Sequence, residues 1–191
     1  MTSEFTTKAW VLIPIAIGIN WVGGALVTLL KIPLFLDSIG TIMTAVLAGP
    51  WVGALAGLLT NLVLGLTVNP GLIPYAVVNL AFGLVAGYMA ARGWFKSLGR
   101  MIVTGLAITA TGIVVSAPVT VALGGVTGSG ADLLHAYFLA TGATIWQSII
   151  QTSAIIEPID KIASTLIAFY IARAIPARYR PPHARMTLPN A

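Results

Sequence analysis

Six apolar stretches occupy most of this chain, and eight of its ten basic residues collect on one side of them. A helix needs about 20 apolar residues to cross the hydrocarbon core of a bilayer. Inside that core every backbone polar group must find its partner within the protein. The pattern therefore constrains the chain to an all-α membrane protein, and any polar residue within a stretch is held there against a desolvation cost. Only 8% of the 191 residues are charged and 58% are hydrophobic, whereas a soluble domain carries about 25% charged residues. So few charges could not cover a water-facing surface, and no second, soluble domain fits.

The spans follow from hydropathy and breakers. Trp10 to Leu30 is span 1. Ile39 to Ala48 is short, is broken by Gly49-Pro50, and is followed by a second short run, Trp51 to Leu66. These are either spans 2 and 3 joined by a tight turn, the preferred reading, or one re-entrant hairpin. Pro74 to Ala91 is span 4, Met101 to Leu123 is span 5 with Pro118 as a kink site, and Pro158 to Ile175 is span 6. Pro74 and Pro158 are placed in first helical turns, where a missing N–H is tolerated. Met1 to Ala9 carries one Lys and one Glu, and the apolar run behind it is too long for a signal-peptide core. Span 1 is therefore expected to be retained.

Charge sets the orientation. Lys8 precedes span 1, Arg92, Lys96 and Arg100 separate spans 4 and 5, and Arg173, Arg178, Arg180 and Arg185 follow span 6. With six spans these clusters share one face, which the positive-inside rule makes cytoplasmic, as it does both termini. Asp37, Asp132, Glu157 and Asp160, with Lys31 and Lys161, fall at the outer face. The net charge of +5 thus reports topology and not nucleic-acid binding. The expected division is a membrane domain, residues 1–176, and a cytoplasmic Pro/Arg-rich, disordered tail, residues 177–191. Gly124 to Glu157 is too polar for a span and too apolar for a free loop. It is read as an outer capping segment before the last helix.

Few residues could carry chemistry. Glu157-Pro158-Ile159-Asp160-Lys161 places three ionisable groups at the expected start of span 6, with Glu157 and Lys161 four apart on one face. This is either an interfacial cap or the mouth of a ligand path. Asn20, Asn61 and Asn79 lie within spans, where an amide is either interhelical glue or a ligand contact. Asn79, about one turn below Tyr75, is the better ligand candidate, and mid-span Asn20 the better glue. Trp146 with Gln147 and Gln151 offers an aromatic face and amides, a combination suited to a flat heterocycle. Trp10, Trp21, Trp51 and Trp94 read as belt anchors. Lone His135 has no second His near enough to make a metal site, and Gly53-x-x-x-Gly57 marks close helix packing. No Cys, no Gly-Lys-Ser/Thr phosphate loop and no His-Glu-x-x-His occurs in the sequence. No catalytic residue, metal ligand or cofactor is assigned.

Ile32-Pro33-Leu34-Phe35-Leu36-Asp37-Ser38-Ile39-Gly40-Thr41, then Gly49-Pro50-Trp51-Val52-Gly53-Ala54-Leu55-Ala56-Gly57, and the closing Glu157-Pro158-Ile159-Asp160-Lys161-Ile162-Ala163-Ser164 occur in that order. This order resembles the substrate-binding S components of energy-coupling factor (ECF) vitamin transporters, over roughly residues 10 to 176. The resemblance implies a prokaryotic plasma-membrane protein that binds a vitamin or vitamin precursor at its outer end. It implies partners too: a membrane coupling subunit and two ATPases, which supply the absent ATP chemistry. It also implies a small-residue docking stripe on span 1, whose nearest match is Ala16-x-x-x-Asn20-x-x-x-Gly24, with Asn20 replacing a small residue. The substrate-binding candidates are Asp37, Tyr75, Asn79, His135, Tyr137, Trp146, Gln147, Gln151, Glu157 and Lys161, and the aromatics and amides among them favour a heteroaromatic cargo.

Three other functions were weighed. A sensor module would need a cytoplasmic output domain, and about 15 residues follow span 6. An intramembrane enzyme would need a paired catalytic constellation, which is not found. An ion-coupled carrier working alone would need an ionisable residue deep in a span, and the acids here are expected at the outer edge.

Overall fold

A computed structural model describes residues 4–188. Among the described residues there is no strand. The helices are α1 (Thr7–Leu30), α2 (Ile39–Ala48), α3 (Pro50–Thr67), α4 (Ala76–Ala91), α5 (Leu98–Ala122), α6 (Ala131–Ala140), α7 (Ile145–Ala174) and α8 (Ala184–Thr187). A 3₁₀ turn over Pro70–Tyr75 leads into α4 and contains Pro74. Four helical segments are long and apolar enough to cross a membrane: α1, α3, the turn with α4 (Pro70–Ala91), and α5.

At its centre is α2, every residue of which is buried. Its 10 residues reach only about 15 Å at 1.5 Å per residue, half a bilayer. From Lys31 at the end of α1 the chain turns back into the bundle, because the Gly40 N–H donates to Asn20 Oδ1 at 2.6 Å. Asn20 lies ten residues, about 15 Å, below Leu30 along α1. Non-helical backbone at such depth is tolerated only where protein satisfies it. Here Asp160 Oδ1 of α7 accepts both the Phe35 N–H (3.0 Å) and the Leu36 N–H (2.9 Å). The run 31–48 is thus a loop that turns back into the bundle and continues as a buried 10-residue helix.

Asn20 ties three elements together. Its Nδ2 donates to Thr41 Oγ1 of α2 at 2.9 Å and to Thr60 Oγ1 of α3 at 3.0 Å. Packing around it is close because side chains are missing. Gly40 lies against the Ala16 backbone, Gly57 against the Asn79 carbonyl, and Gly83 against the Gly53–Ala54 peptide, with no room for a Cβ. The Gly53-x-x-x-Gly57 pattern therefore serves contacts inside this chain, Gly53 to α2 and α4 and Gly57 to α4.

Two expectations are corrected by α7. It begins at Ile145, where Thr144 and Gln147 form a capping box, and runs for 30 residues. The last helix thus absorbs much of the segment expected to cap it, and Pro158 stands in the helix interior, not in a first turn. Only α6 remains as a separate cap, packed on α7. As a result Glu157 and Asp160 lie mid-helix, not at its outer edge.

The tail is described to residue 188, where it packs on the bundle. Lys8 Nζ donates to the Arg178 carbonyl at 2.5 Å, and Thr187 Oγ1 donates to the Val46 carbonyl at 2.7 Å. Ala184 and Leu188 are buried against the foot of α2. Residues 189–191 of the tail and 1–3 of the N-terminal segment lie outside the described residues.

Candidate ligand-binding cavity

A partly open cavity lies at the end of the bundle where the 31–38 loop turns inward. Its walls come from α1, α3, α4, α5 and α7, and its roof from α6 and the loop before it.

The charged wall is built on α7. Lys161, 1% exposed, pairs with Asp160 Oδ2 at 2.5 Å and stands 3.7 Å from Glu157 Oε2. The second separation is an ion pair beyond hydrogen-bond reach. The same ammonium stands 4.6 Å from the centre of the Phe82 ring and 5.4 Å from that of Phe35, distances at which the ring faces attract a cation. Asp37 enters from the descending loop, and its carbonyl accepts Asn79 Nδ2 at 2.9 Å.

The amide wall follows. Asn79 Nδ2 also donates to Asn61 Oδ1 at 2.8 Å, and Asn61 Nδ2 donates to the Leu72 carbonyl at 3.3 Å. Opposite, Thr120 Oγ1 donates to the Ser116 carbonyl at 2.9 Å. Its single proton is thereby committed, so the 2.8 Å contact with Tyr75 is a hydrogen bond donated by the tyrosine hydroxyl.

Asp132 orders the roof. Its Oδ1 accepts from Thr127 N (2.8 Å) and Thr127 Oγ1 (2.7 Å), and its Oδ2 from Gly128 N (2.9 Å). Lys31 Nζ reaches the Gly128 carbonyl at 3.3 Å and links the roof to the end of α1. His135 faces down from α6, 4% exposed. Burial holds its imidazole pKa below the ordinary value, 6.5.

Polar groups inside proteins are nearly always hydrogen-bonded. Among the described residues, eight buried side-chain N or O atoms have no partner. Four of them belong to residues lining this one cavity: Asn79 Oδ1, His135 Nδ1, Thr152 Oγ1 and Glu157 Oε2. A packed interior would not gather such groups by chance, since each costs about 1–3 kcal/mol when left unpaired.

Of the ten candidate substrate-binding residues, the fold brings six to the cavity: Asp37, Tyr75, Asn79, His135, Glu157 and Lys161. The other four lie elsewhere. Gln147 and Gln151 are exposed, one turn apart on the outer side of α7, and Gln147 is spent on the capping box. Trp146 is 47% exposed. Tyr137 is two residues past buried His135, which on a helix turns it well away from that side, and it is 61% exposed. Once α6 and α7 are known to be helices, their inward residues follow from period. Buried Ser148, Thr152, Ile156 and Glu157 form that face of α7. Thr120 and Thr152, on helices, and Thr127 and Ser129, in the loop before α6, also line the cavity, and isolated hydroxyl residues carry no distinctive sequence signal.

The three residues of the expected docking stripe face inward. Ala16, Asn20 and Gly24 are buried. Asn20 is saturated within the bundle, and Gly24 lines the cavity. The spacing does mark one face of α1, but it is the face turned toward α2 and α3. The exposed side of α1 carries Val11, Ile15, Gly18, Val22, Leu26 and Leu29.

No protein-family model, curated protein or solved structure matches the chain. Its reading rests on the cavity and the sequence.

Proposed function

We propose that this chain is the substrate-binding membrane subunit of an importer of the energy-coupling factor type. It captures a vitamin-like small molecule at its outer end, and partner subunits drive release inside. One observation carries this reading: a partly open cavity, roofed by a loop and a short helix, lined by residues that carry four buried polar atoms without a hydrogen-bond partner. Such a site binds, and its residues include no nucleophile–base pair that would argue turnover. The ordered sequence motifs from residue 10 to 176 support the family reading, and ATP hydrolysis is assigned to partners.

The topology proposed has six crossings: α1, the 31–38 loop with α2, α3, α4, α5 and α7. Lys8, the 92–100 cluster and the Arg residues after α7 then share the cytoplasmic side of a prokaryotic plasma membrane, with both termini. The cavity then opens outward.

The test is mass spectrometry of small molecules released from detergent-purified protein, with rebinding followed by calorimetry. No tryptophan lines the cavity, so tryptophan quenching would be a poor readout. One stoichiometric compound that rebinds supports the reading, and a protein with no retained compound and no response to a vitamin panel overturns it.

An ion-coupled carrier working alone is the second reading. The observation favouring it is the buried Glu157–Asp160–Lys161 cluster in the middle of α7, because ionisable groups at such depth mark ion pathways. Proteoliposomes containing this chain alone separate the two. Uptake driven by a pH or sodium gradient selects the carrier, and uptake that needs the coupling subunit and ATP selects the importer subunit.

A further inference from the structure

The proposal that follows rests on the reading of the cavity as a ligand site. Two carboxylates, Glu157 and Asp160, pair with the Lys161 ammonium, and Asp37 lines the same cavity as Glu157 and Lys161. The ammonium is already committed. Asp160 holds it at 2.5 Å, and the Phe82 and Phe35 rings cover it. Asp160 is committed as well, since its other oxygen takes the two loop N–H groups. What faces the ligand space is therefore Glu157 and Asp37, two acids for which no base is left over.

Glu157 supplies the independent observation. It is 4% exposed, it lines the cavity, and its Oε2 has no hydrogen-bond partner. An unpaired acceptor in such a place wants a donor, and a cationic donor is the strongest kind. An anion would have to displace Asp160 from Lys161 while standing beside two further carboxylates. The rest of the lining suits an apolar body, with Val27, Leu64, Val78, Ile156 and the rings of Tyr75 and Phe82.

We infer that the ligand is an organic cation, such as an amine, amidine or quaternised heterocycle, with its charge set against Glu157 and Asp37 and its apolar body against the remaining wall. The selectivity is by charge sign. Glu157 and Asp37 act as the counter-ions, while Asp160 and Lys161 hold the wall in place.

The experiment uses the full chain in detergent and three probes of nearly one shape: benzamidinium, benzamide and benzoate. Binding is read by calorimetry and by the thermal midpoint. The same preparation is analysed for retained compounds. The expected result is that benzamidinium binds at least about tenfold more tightly than benzamide and that benzoate does not bind. Glu157→Gln should lose at least about tenfold for benzamidinium and leave benzamide within about threefold. Asp37→Asn provides a second variant should the first not fold, and the probe series on the unaltered chain needs no variant. Equal or tighter binding of benzamide or benzoate, or a retained neutral or anionic compound, overturns the charge assignment while the cavity stands as a ligand site. Benzamidinium binding unchanged in Glu157→Gln also overturns it, by showing a protonated Glu157 that acts as a neutral hydrogen-bonding group. No retained compound and no probe response overturns the cavity reading itself, and this proposal with it.

Discussion

Asp160 holds Leu36 across the bundle: its Oδ1 accepts the Leu36 N–H at 2.9 Å, from a residue 124 positions earlier in the chain. Leu36 has φ of 48°, a left-handed conformation uncommon for a residue other than glycine. The carboxylate thus fixes a strained loop inside the membrane bundle and, through its other oxygen, the Lys161 ammonium. Asp160→Ala should lower stability by about 3–5 kcal/mol, because it leaves the buried Lys161 ammonium without its hydrogen-bonded partner and two part-buried N–H groups without their acceptor. In detergent this is a fall in thermal midpoint of roughly 10 °C or more. A midpoint that did not move would show that the loop is held by something else.

The triple junction at Asn20 makes the second case. Asn20→Ala removes hydrogen bonds to Thr41, Thr60 and the Gly40 N–H, and should cost about 1–3 kcal/mol. Asn20 does not line the cavity, so ligand affinity should be preserved once the protein is folded. Normal stability combined with lost uptake would restore a docking role to this face of α1.

Trp146 and Tyr75 separate surface from site. Trp146→Ala should leave affinity for the retained compound unchanged, since the indole is outside the cavity. Tyr75→Phe deletes the hydroxyl that donates to Thr120 and should weaken binding by about three- to tenfold, the worth of one ordering hydrogen bond. Isothermal titration of both variants decides the matter, and the opposite order of effects would move the site to the outer part of α7.

His135 predicts a pH dependence. Burial lowers its pKa from 6.5, so the folded protein keeps the imidazole neutral at pH values where the unfolded chain would protonate it. Its contribution to stability is complete above about pH 6.5 and falls as pH drops from there toward the folded value. The thermal midpoint of the unaltered protein should therefore fall between pH 7 and pH 5 by more than that of His135→Gln. Parallel midpoint curves for the two proteins would show that His135 titrates equally in both states.

What could be read without coordinates was what depends on local composition. The apolar helices, the charge asymmetry, and the tie of Glu157 to Lys161 by helical spacing all follow from residues near one another in the chain. The four candidates that lie outside the cavity share one origin. Gln147, Gln151, Trp146 and Tyr137 were chosen for their chemistry from a segment with no assigned helical phase, and a helix sends residues two apart to different sides. Ala16, Asn20 and Gly24 do form one face, yet spacing cannot say whether a face meets lipid or another helix of the same chain.

By itself, the sequence determined that the chain is helical, with helices apolar and long enough to cross a membrane, and that a few polar residues lie within them at a cost. Hydrophobic length and charge placement act locally, and they need no partner to be legible. Tertiary structure alone decided that the 31–38 loop turns back into the bundle and that Pro158 sits inside a continuous α7. It alone decided that Asp37, Asn79, His135 and Glu157 meet around one cavity. Those outcomes depend on hydrogen bonds between residues up to 125 positions apart, such as Phe35 with Asp160, and no local pattern encodes the partner of such a bond.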